Sequence, residues 1–513
     1  MSKTIFAKIK SVNFIFIFVL VISWVLLFIN GLHQLDPDFG WHVTMGRLIS
    51  ENGIPKTDPF SYTMTSFPFV DHEWLTNVII ARMYESVGRV GLAAMYSTLV
   101  IIALLFSLWE TLNLKDRRYE KITPLLILLP SLLVLGVLFS FAGIRPQVTS
   151  WFLIVLLYKI LTDENYWKKW RYIVAPLMLL WTNLHGSFAV GIFVILLVFV
   201  VKSLRLRRFL KDYFLVFLAS FTATFINPYR VRLWGEVWMQ LSDTKLRWRI
   251  LEWMPSLTFL NFSFIFLLTL SAFLVYRYWR RFGKERLFVY VFFLFQGMGS
   301  VRHVPLWSIL TIPILIEAII YLYDEVKVIK FGPERFTKLF TFLTYGVGFV
   351  FICQGTYSYF SSLSLSEKYF YPQKAALYLK SNLPAGQLFS EYGWGGYLIQ
   401  YLPERKVFID GRMPSWRYNN APAGESNYAM EDYLGISRGG LDYKEQFVKY
   451  GIETVLWPKG KKTFMSELDR RFEKLLSKFK KEDKEKFNFV ATLEKDSWKK
   501  IYEDDIAVVY RKP

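Results

Sequence analysis

VNFIFIFVLVISWVLLFINGLHQLDPDFGWH, residues 12–42, runs an apolar stretch straight into two acids, a tryptophan and a histidine. The apolar part, 12–30, has the length a helix needs to cross a bilayer, roughly 17–25 residues. It is too long for a leader's core, and no small-residue cleavage pattern follows it, so it reads as a retained span. Carboxylates are costly beside lipid and are kept there for a reason. A second acidic knot, DHEW at 71–74, follows before the next apolar run.

The rest of the chain repeats the first pattern. Of its 513 residues, 53% are hydrophobic and 19% aromatic, and mean hydropathy is +0.27. That composition excludes an ordinary soluble protein of this length. About eleven spans are predicted. They are 12–30, 88–109, 122–141, 147–162, 172–183, 187–201, 212–226, 257–276, 287–300, 304–323 and 336–355. The fifth and ninth are short enough to be half-helices. The formal charge of +20 does not point to nucleic acid, because its placement is periodic. Lys115–Lys121, Lys168–Arg171, Lys202–Lys211, Arg277–Arg286 and Lys327–Lys338 fall in alternate loops, as does the N-terminal Lys3, Lys8 and Lys10 cluster. The positive-inside rule makes that side cytoplasmic, and its charge also meets anionic lipid. An odd span count then puts the tail outside. The single cysteine, Cys353, rules out a disulfide framework and a thiol metal site.

Two domains are expected: a membrane domain, 1–360, with a first outer loop at 31–87, and an extracytoplasmic α/β domain, 361–513. The first outer loop is long for a connection, which marks a functional loop. Asp36-Pro37 opens a helix over 38–50 and Asp71 another over 72–86. Both are amphipathic and suit the membrane surface. Trp234, Trp238, Trp248 and Trp253 make a second outer loop, 227–256, an aromatic belt. In the tail the spacing predicts helices at 372–382, 394–402 and 463–486. It predicts strands at 387–391, 406–410, around Val455, at 488–494 and at 506–511.

All five histidines (His33, His42, His72, His185, His303) fall at outer loops or span ends in this topology. Asp36, Asp38, Asp71 and Glu73 are the candidate acids. Moving a sugar to a hydroxyl or amide needs a group to take the acceptor proton and cations to stabilise the departing phosphate. Asp38 is the first choice for the base and Asp36 the second. Helix capping is the plain alternative for Asp36 and Asp71. A divalent ion, Mg or Mn, held by Asp36, Asp38, His42, His72 and Glu73 could also clamp a phosphate. Arg145, Arg230, Arg302 and His303 sit at outer span ends, where arginine can grip phosphate through paired hydrogen bonds. Snorkelling to the interface is the plain alternative for each. Asn183, His185 and Gly186 join two short spans and read equally well as a tight turn.

An acidic first outer loop, two surface helices, many spans and an external tail resemble the GT-C glycosyltransferases, which use polyprenyl- or dolichyl-linked sugars. DPDFGWH and DHEW are similar to stretches in bacterial members. The resemblance implies a catalytic acid in the first outer loop, here Asp36 or Asp38. AALYLKSNLPAGQLFSEYGWGGYLIQYLPERKVFIDGR, 375–412, resembles the catalytic subunit of oligosaccharyltransferase in its order of helix, strand, aromatic-glycine knot, helix, strand and Asp-Gly. Where that subunit carries WWDYG, which reads the acceptor sequon, this chain has EYGWGGY, 391–397. Asn-linked transfer is therefore not implied. The glycines of that knot read as permitting a tight strand-to-helix turn.

The expectation is a multi-span transferase moving a sugar from a polyprenyl-phosphate carrier to a glycan, lipid or protein acceptor at the outer face of the plasma membrane. A transporter is the first competitor. It would place ionisable groups mid-membrane and show paired halves, whereas these spans hold hardly any acid beyond Glu317. A GT-C-like scaffold without activity is the second.

Overall fold

The computed structural model describes residues 2–112, 116–245, 248, 250–258, 261–327, 332–364, 366–382, 384–459 and 487–513. They group into two compact units. The first is Met1–Gly31, Ala93–Val237 and Asp243–Tyr359; the second is Leu32–Leu92, Trp238–Ser242 and Phe360–Pro513.

In the first unit every predicted span coincides with a helix. These are Ser2–His33, the later part of Trp74–Leu112, Thr123–Leu138, Gln147–Thr162, Val174–Leu184, Phe188–Leu206, Lys211–Ala223, Phe262–Tyr278, Lys284–Gly299, Val304–Val326 and Gly332–Ser364. Five of the described helices are long and apolar enough to cross a membrane, and three more are apolar but shorter. The chain is a multi-pass helical membrane protein. The helix Val304–Val326 is the most buried of the five. It packs against Lys284–Gly299, Thr123–Leu138, Phe262–Tyr278 and Gln147–Thr162.

Polar side chains tie this bundle where hydrophobicity alone gives no drive to associate. Asn261 donates to the Gly136 carbonyl (3.3 Å) and accepts from Gln354 (3.0 Å). Asn30 donates to Ser358 Oγ (2.7 Å). Glu317, the acid noted inside a span, accepts from Arg286 Nη1 (3.3 Å). At 185–187 the turn between Val174–Leu184 and Phe188–Leu206 is closed by Ser187 N donating to His185 Nδ1 (3.1 Å).

The second unit joins the first outer loop to the tail. Its two loop helices are Phe39–Asn52 and the early part of Trp74–Leu112. The latter is interrupted at Gly88, whose φ of 64° is left-handed and breaks the helix where the predicted surface helix gives way to the next span. The two cross closely at Gly46, where an added Cβ would lie 2.0 Å from the Asn77 carbonyl oxygen.

A four-stranded sheet forms the rest: β1 (Gln387–Ser390), β2 (Ile452–Pro458), β3 (Lys499–Glu503) and β4 (Ala507–Arg511). Their order is β1-β2-β4-β3, with β1 parallel to β2 and the other pairs antiparallel. Phe389 on β1 centres the core, ringed by Phe408, Tyr433, Phe447, Trp457 and Phe489. Burying such rings is the main stabilising term, about 1.5–3 kcal/mol for each fully buried side chain.

Two tail expectations change. Residues 488–494 form a helix, Phe489–Lys495, because Asn488 Oδ1 accepts from Ala491 N (3.1 Å) and Phe489 and Leu493 share one buried face. Residues 406–410 form no regular strand; Val407 makes an isolated parallel bridge to Ser61 of the first loop. The predicted helix at 463–486 lies outside the described residues. The first loop also shares a unit with the tail rather than with 1–360, through backbone bonds. Tyr62 N donates to Val407 O (3.1 Å), Val407 N to Phe60 O (3.0 Å) and Ser426 N to Thr63 O (2.7 Å).

Candidate functional site

The acids of the first loop divide by what they hold. Asp36 makes a turn: its Oδ1 accepts from Asp38 N (3.0 Å) and its carbonyl from Phe39 N (3.0 Å). The helix begins one residue later than expected, at Phe39. Asp38 therefore occupies the cap position, yet its side chain makes no capping bond. Its carboxylate, half-buried at the positive end of the helix dipole, lies against Gly411 instead. A Cβ added to Gly411 would fall 1.8 Å from Asp38 Oδ1.

Asp71 starts the second helix. It is buried and accepts from Glu73 N (3.0 Å) and Asn77 Nδ2 (2.8 Å). Burial raises its pKa above the ordinary value, opposed by those hydrogen bonds and by His72. Asp36 and Asp71 each hold a backbone N–H two residues on, whereas Asp38 stands at the cap position without a cap bond.

Asn77, which the sequence reading missed, links this acid to His42. Its Nδ2 is committed to Asp71, so its Oδ1 faces His42 Nδ1 at 2.6 Å. An amide oxygen only accepts, so the His42 proton sits on Nδ1 and the basic nitrogen is Nε2. Glu73 lies near both histidines, 3.8 Å from His42 Nδ1 and 3.5 Å from His72 Nε2. The divalent-metal expectation is not met by this arrangement. Among the described residues no three His, Cys, Asp or Glu side chains gather as a group able to hold a metal. Asp36 is spent on its turn and His42 Nδ1 on Asn77, so Asp36, Asp38, His42, His72 and Glu73 do not converge as ligands.

The cationic candidates belong to the first unit. Arg145 Nη1 meets Glu252 Oε1 at 3.1 Å. Arg302 lies over the Trp253 ring (5.3 Å), and His303 meets the same ring edge-on (6.4 Å). Ser300 Oγ donates to Glu252 O (3.0 Å) and Val301 N to Met254 O (2.9 Å), fixing the two segments together. Three of the four candidates are thus gathered around 252–254. Arg230 is not among them; it is exposed and ends the Asn227–Arg230 turn with φ 50°.

The EYGWGGY knot proves to be a contact surface. Its glycines do not have left-handed φ, so a turn does not explain them. Gly396 faces Gly40: a Cβ on either would lie 2.1 Å from a backbone oxygen, Pro37 O for Gly396 and Gly396 O for Gly40. Gly395 is pressed against Ile409 O, 2.4 Å from its added Cβ. The glycines let the helix Gly395–Tyr401 touch the helix that carries Asp38 and His42.

Glu391 of the same knot is a titrating group. Burial pushes its pKa up to about 7, opposed by the Gly393 and Trp394 backbone N–H groups. Among the described residues its buried Oε2 has no hydrogen-bond partner. The folded protein therefore binds that proton more tightly than the unfolded chain, whose glutamate titrates near 4.5. Stability is fully present below that lower value and falls as pH rises towards 7, on the order of 3 kcal/mol in all. Glu391→Gln should remove this decline: between pH 5 and 8 the wild-type unfolding midpoint falls, and that of the variant stays level. An equal fall in both would show that the decline arises elsewhere.

No protein-family model matches the chain, and no curated protein matches it by sequence. Solved structures do. The archaeal oligosaccharyltransferase AglB from Archaeoglobus fulgidus, in complex with an inhibitory peptide and a dolichol-phosphate, superposes with a TM-score of 0.58 at 12% identity. That match covers 87% of this chain and 69% of AglB. The same oligosaccharyltransferase in the apo form gives 0.54 at 13% identity, over 86% and 69%. ArnT from Cupriavidus metallidurans in the apo state gives 0.50 at 13% identity, covering 98% of both chains. At these identities the likeness is one of fold.

Proposed function

From that fold as premise, we propose that the protein is a membrane glycosyltransferase that moves a sugar from a polyprenyl-phosphate carrier to an acceptor at the outer face of the plasma membrane. Eleven crossings with a cytoplasmic N-terminus put the acidic loop and the tail outside. Asp38 takes the acceptor proton as the acceptor oxygen or nitrogen bonds to the anomeric carbon. The bond from that carbon to the carrier phosphate breaks, and the phosphate leaves as an anion. Glu73 with the Asp71–Asn77–His42 chain completes the acidic side. A carrier phosphate as donor class is supported by the dolichol-phosphate in the similar archaeal oligosaccharyltransferase.

One observation carries the reading. The Asp38 carboxylate stands at a helix start yet lies against Gly411 rather than on the helix's own N–H groups. The acceptor remains a glycan, lipid or protein, and no step uses a metal.

The test is purified full-length protein in liposomes with a panel of radiolabelled polyprenyl-phosphate monosaccharides and membrane extract as acceptor source. Label leaving the carrier for a larger product supports the reading. Folded protein that moves an intact carrier or solute across the vesicle, and releases no sugar from any donor, overturns it in favour of a transporter.

A further inference from the structure

The turn Asp410-Gly411-Arg412 is among the most firmly held segments of the second unit. Arg412 is buried and pairs with two carboxylates, Asp410 Oδ2 at 2.7 Å and Asp58 Oδ1 at 2.8 Å. Both carboxylates are buried and also bind backbone. Asp410 Oδ1 accepts from Arg412 N (3.0 Å), and Asp58 Oδ2 accepts from Ser61 N (2.9 Å). Phe60, Phe69, Trp416 and Trp41 surround the guanidinium, with ring centres 4.9–5.9 Å from its central carbon. A buried charge held this way has little freedom, since breaking any one pairing leaves an uncompensated ion. Thr63 Oγ1 donates to the Phe408 carbonyl (2.6 Å) just before the turn.

Gly411 is the middle residue of this clamp, and its Cα faces the Asp38 carboxylate. The added Cβ would meet all three terminal atoms of Asp38: Oδ1 at 1.8 Å, Cγ at 2.7 Å and Oδ2 at 3.0 Å. Asp38 is a short side chain whose backbone is fixed by the Asp36 turn and the helix start. Any side chain at 411 must therefore displace the carboxylate itself. The φ of Gly411 is not left-handed, so conformational freedom does not account for the glycine.

We infer that Gly411 is a positioning residue for Asp38, with Arg412 holding it in place, so that the tail sets where the loop's carboxylate points. The kinetic arm of this inference rests on the transferase reading; the steric arm does not. A displacement of about 1 Å at a reacting group costs on the order of 10²-fold in rate.

The steric arm is a thermal-unfolding cycle on the full-length protein. Gly411→Ala lowers the unfolding midpoint by about 4 °C in the wild type. In an Asp38→Gly background, where no carboxylate is left to displace, it lowers it by less than a third as much. An equal loss in both backgrounds overturns the inference. The kinetic arm uses whichever labelled polyprenyl-phosphate sugar the wild type turns over. Gly411→Ala lowers kcat tenfold or more with donor KM within twofold. Wild-type kcat, or a raised KM with kcat kept, overturns the positioning role while leaving the transferase reading intact. If Gly411→Ala does not fold, Arg412→Lys keeps the charge, loosens the clamp and gives the same split; a folded Arg412→Lys protein at wild-type kcat overturns the inference. Asp38→Asn protein with full activity overturns both the base assignment and the positioning role.

Discussion

Asp38→Asn lowers sugar transfer about 10³-fold, within the range a positioned proton acceptor contributes, and leaves folding intact. The amide has the shape of the carboxylate, so it fits against Gly411, and no capping bond is lost because Asp38 makes none. The ability to take a proton goes. Asp36→Asn should behave differently. The Asp36 carboxylate serves by accepting from Asp38 N, which an amide oxygen also does. Its loss of rate should stay within about tenfold, reflecting a slight shift of the turn. The order Asp38 far above Asp36 is the diagnostic. It is measured as initial rates of label transfer, with the unfolding midpoint as the control. Equal losses at both positions would mean the two acids act as a pair. No loss at Asp38 would remove the base from the proposed mechanism.

The apolar helices and the loop helices were legible because each is a local pattern. A run of apolar residues needs no partner to be recognised, and the break between surface helix and span is carried by one glycine, Gly88. Strands β1, β2 and β4 were legible for the same reason. The segment 488–494 was misread because FVATLEK alternates like a strand, while its cap, Asn488, and the i, i+4 pair Phe489 and Leu493 settle it as helix. Residues 406–410 pair with the first loop, and nothing near them in sequence says so. The site divides likewise. Asp36, Asp38, Asp71 and Glu73 stood out by charge. Asn77 did not, because one amide in a helical pattern carries no signal until its neighbours Asp71 and His42 are placed. Gly411 and Gly396 were the least legible, since a glycine kept for close approach leaves only an absence of side chain, and the atom it makes room for lies far away in the chain.

That absence carries the largest expected effect on stability. Gly396→Val should cost about 4 kcal/mol or more and leave little folded protein, beyond the usual 1–3 kcal/mol of an overpacked core. The first added carbon would lie 2.1 Å from Pro37 O and 3.2 Å from Trp41 Cδ1. Pro37 O is backbone in the turn that sets Asp38, so it cannot rotate away as a side chain would. Gly40→Val meets the same obstacle from the other side, Gly396 O at 2.1 Å. Two other glycines separate this cause from a general intolerance. Gly53 has φ 81° and open space around a Cβ, so Gly53→Ala should cost only backbone strain, about 1–3 kcal/mol. Gly393 would meet only the Glu391 carboxylate at 3.0 Å and the Phe370 ring at 3.3 Å, side chains that can shift. Yield and unfolding midpoints of Gly40→Val, Gly396→Val, Gly53→Ala and Gly393→Ala should therefore fall into two classes, with the first two far below the last two. A folded Gly396→Val protein with a wild-type midpoint would mean that the two helices do not touch at these glycines, and Asp38 would lose the surface on which its helix is seated.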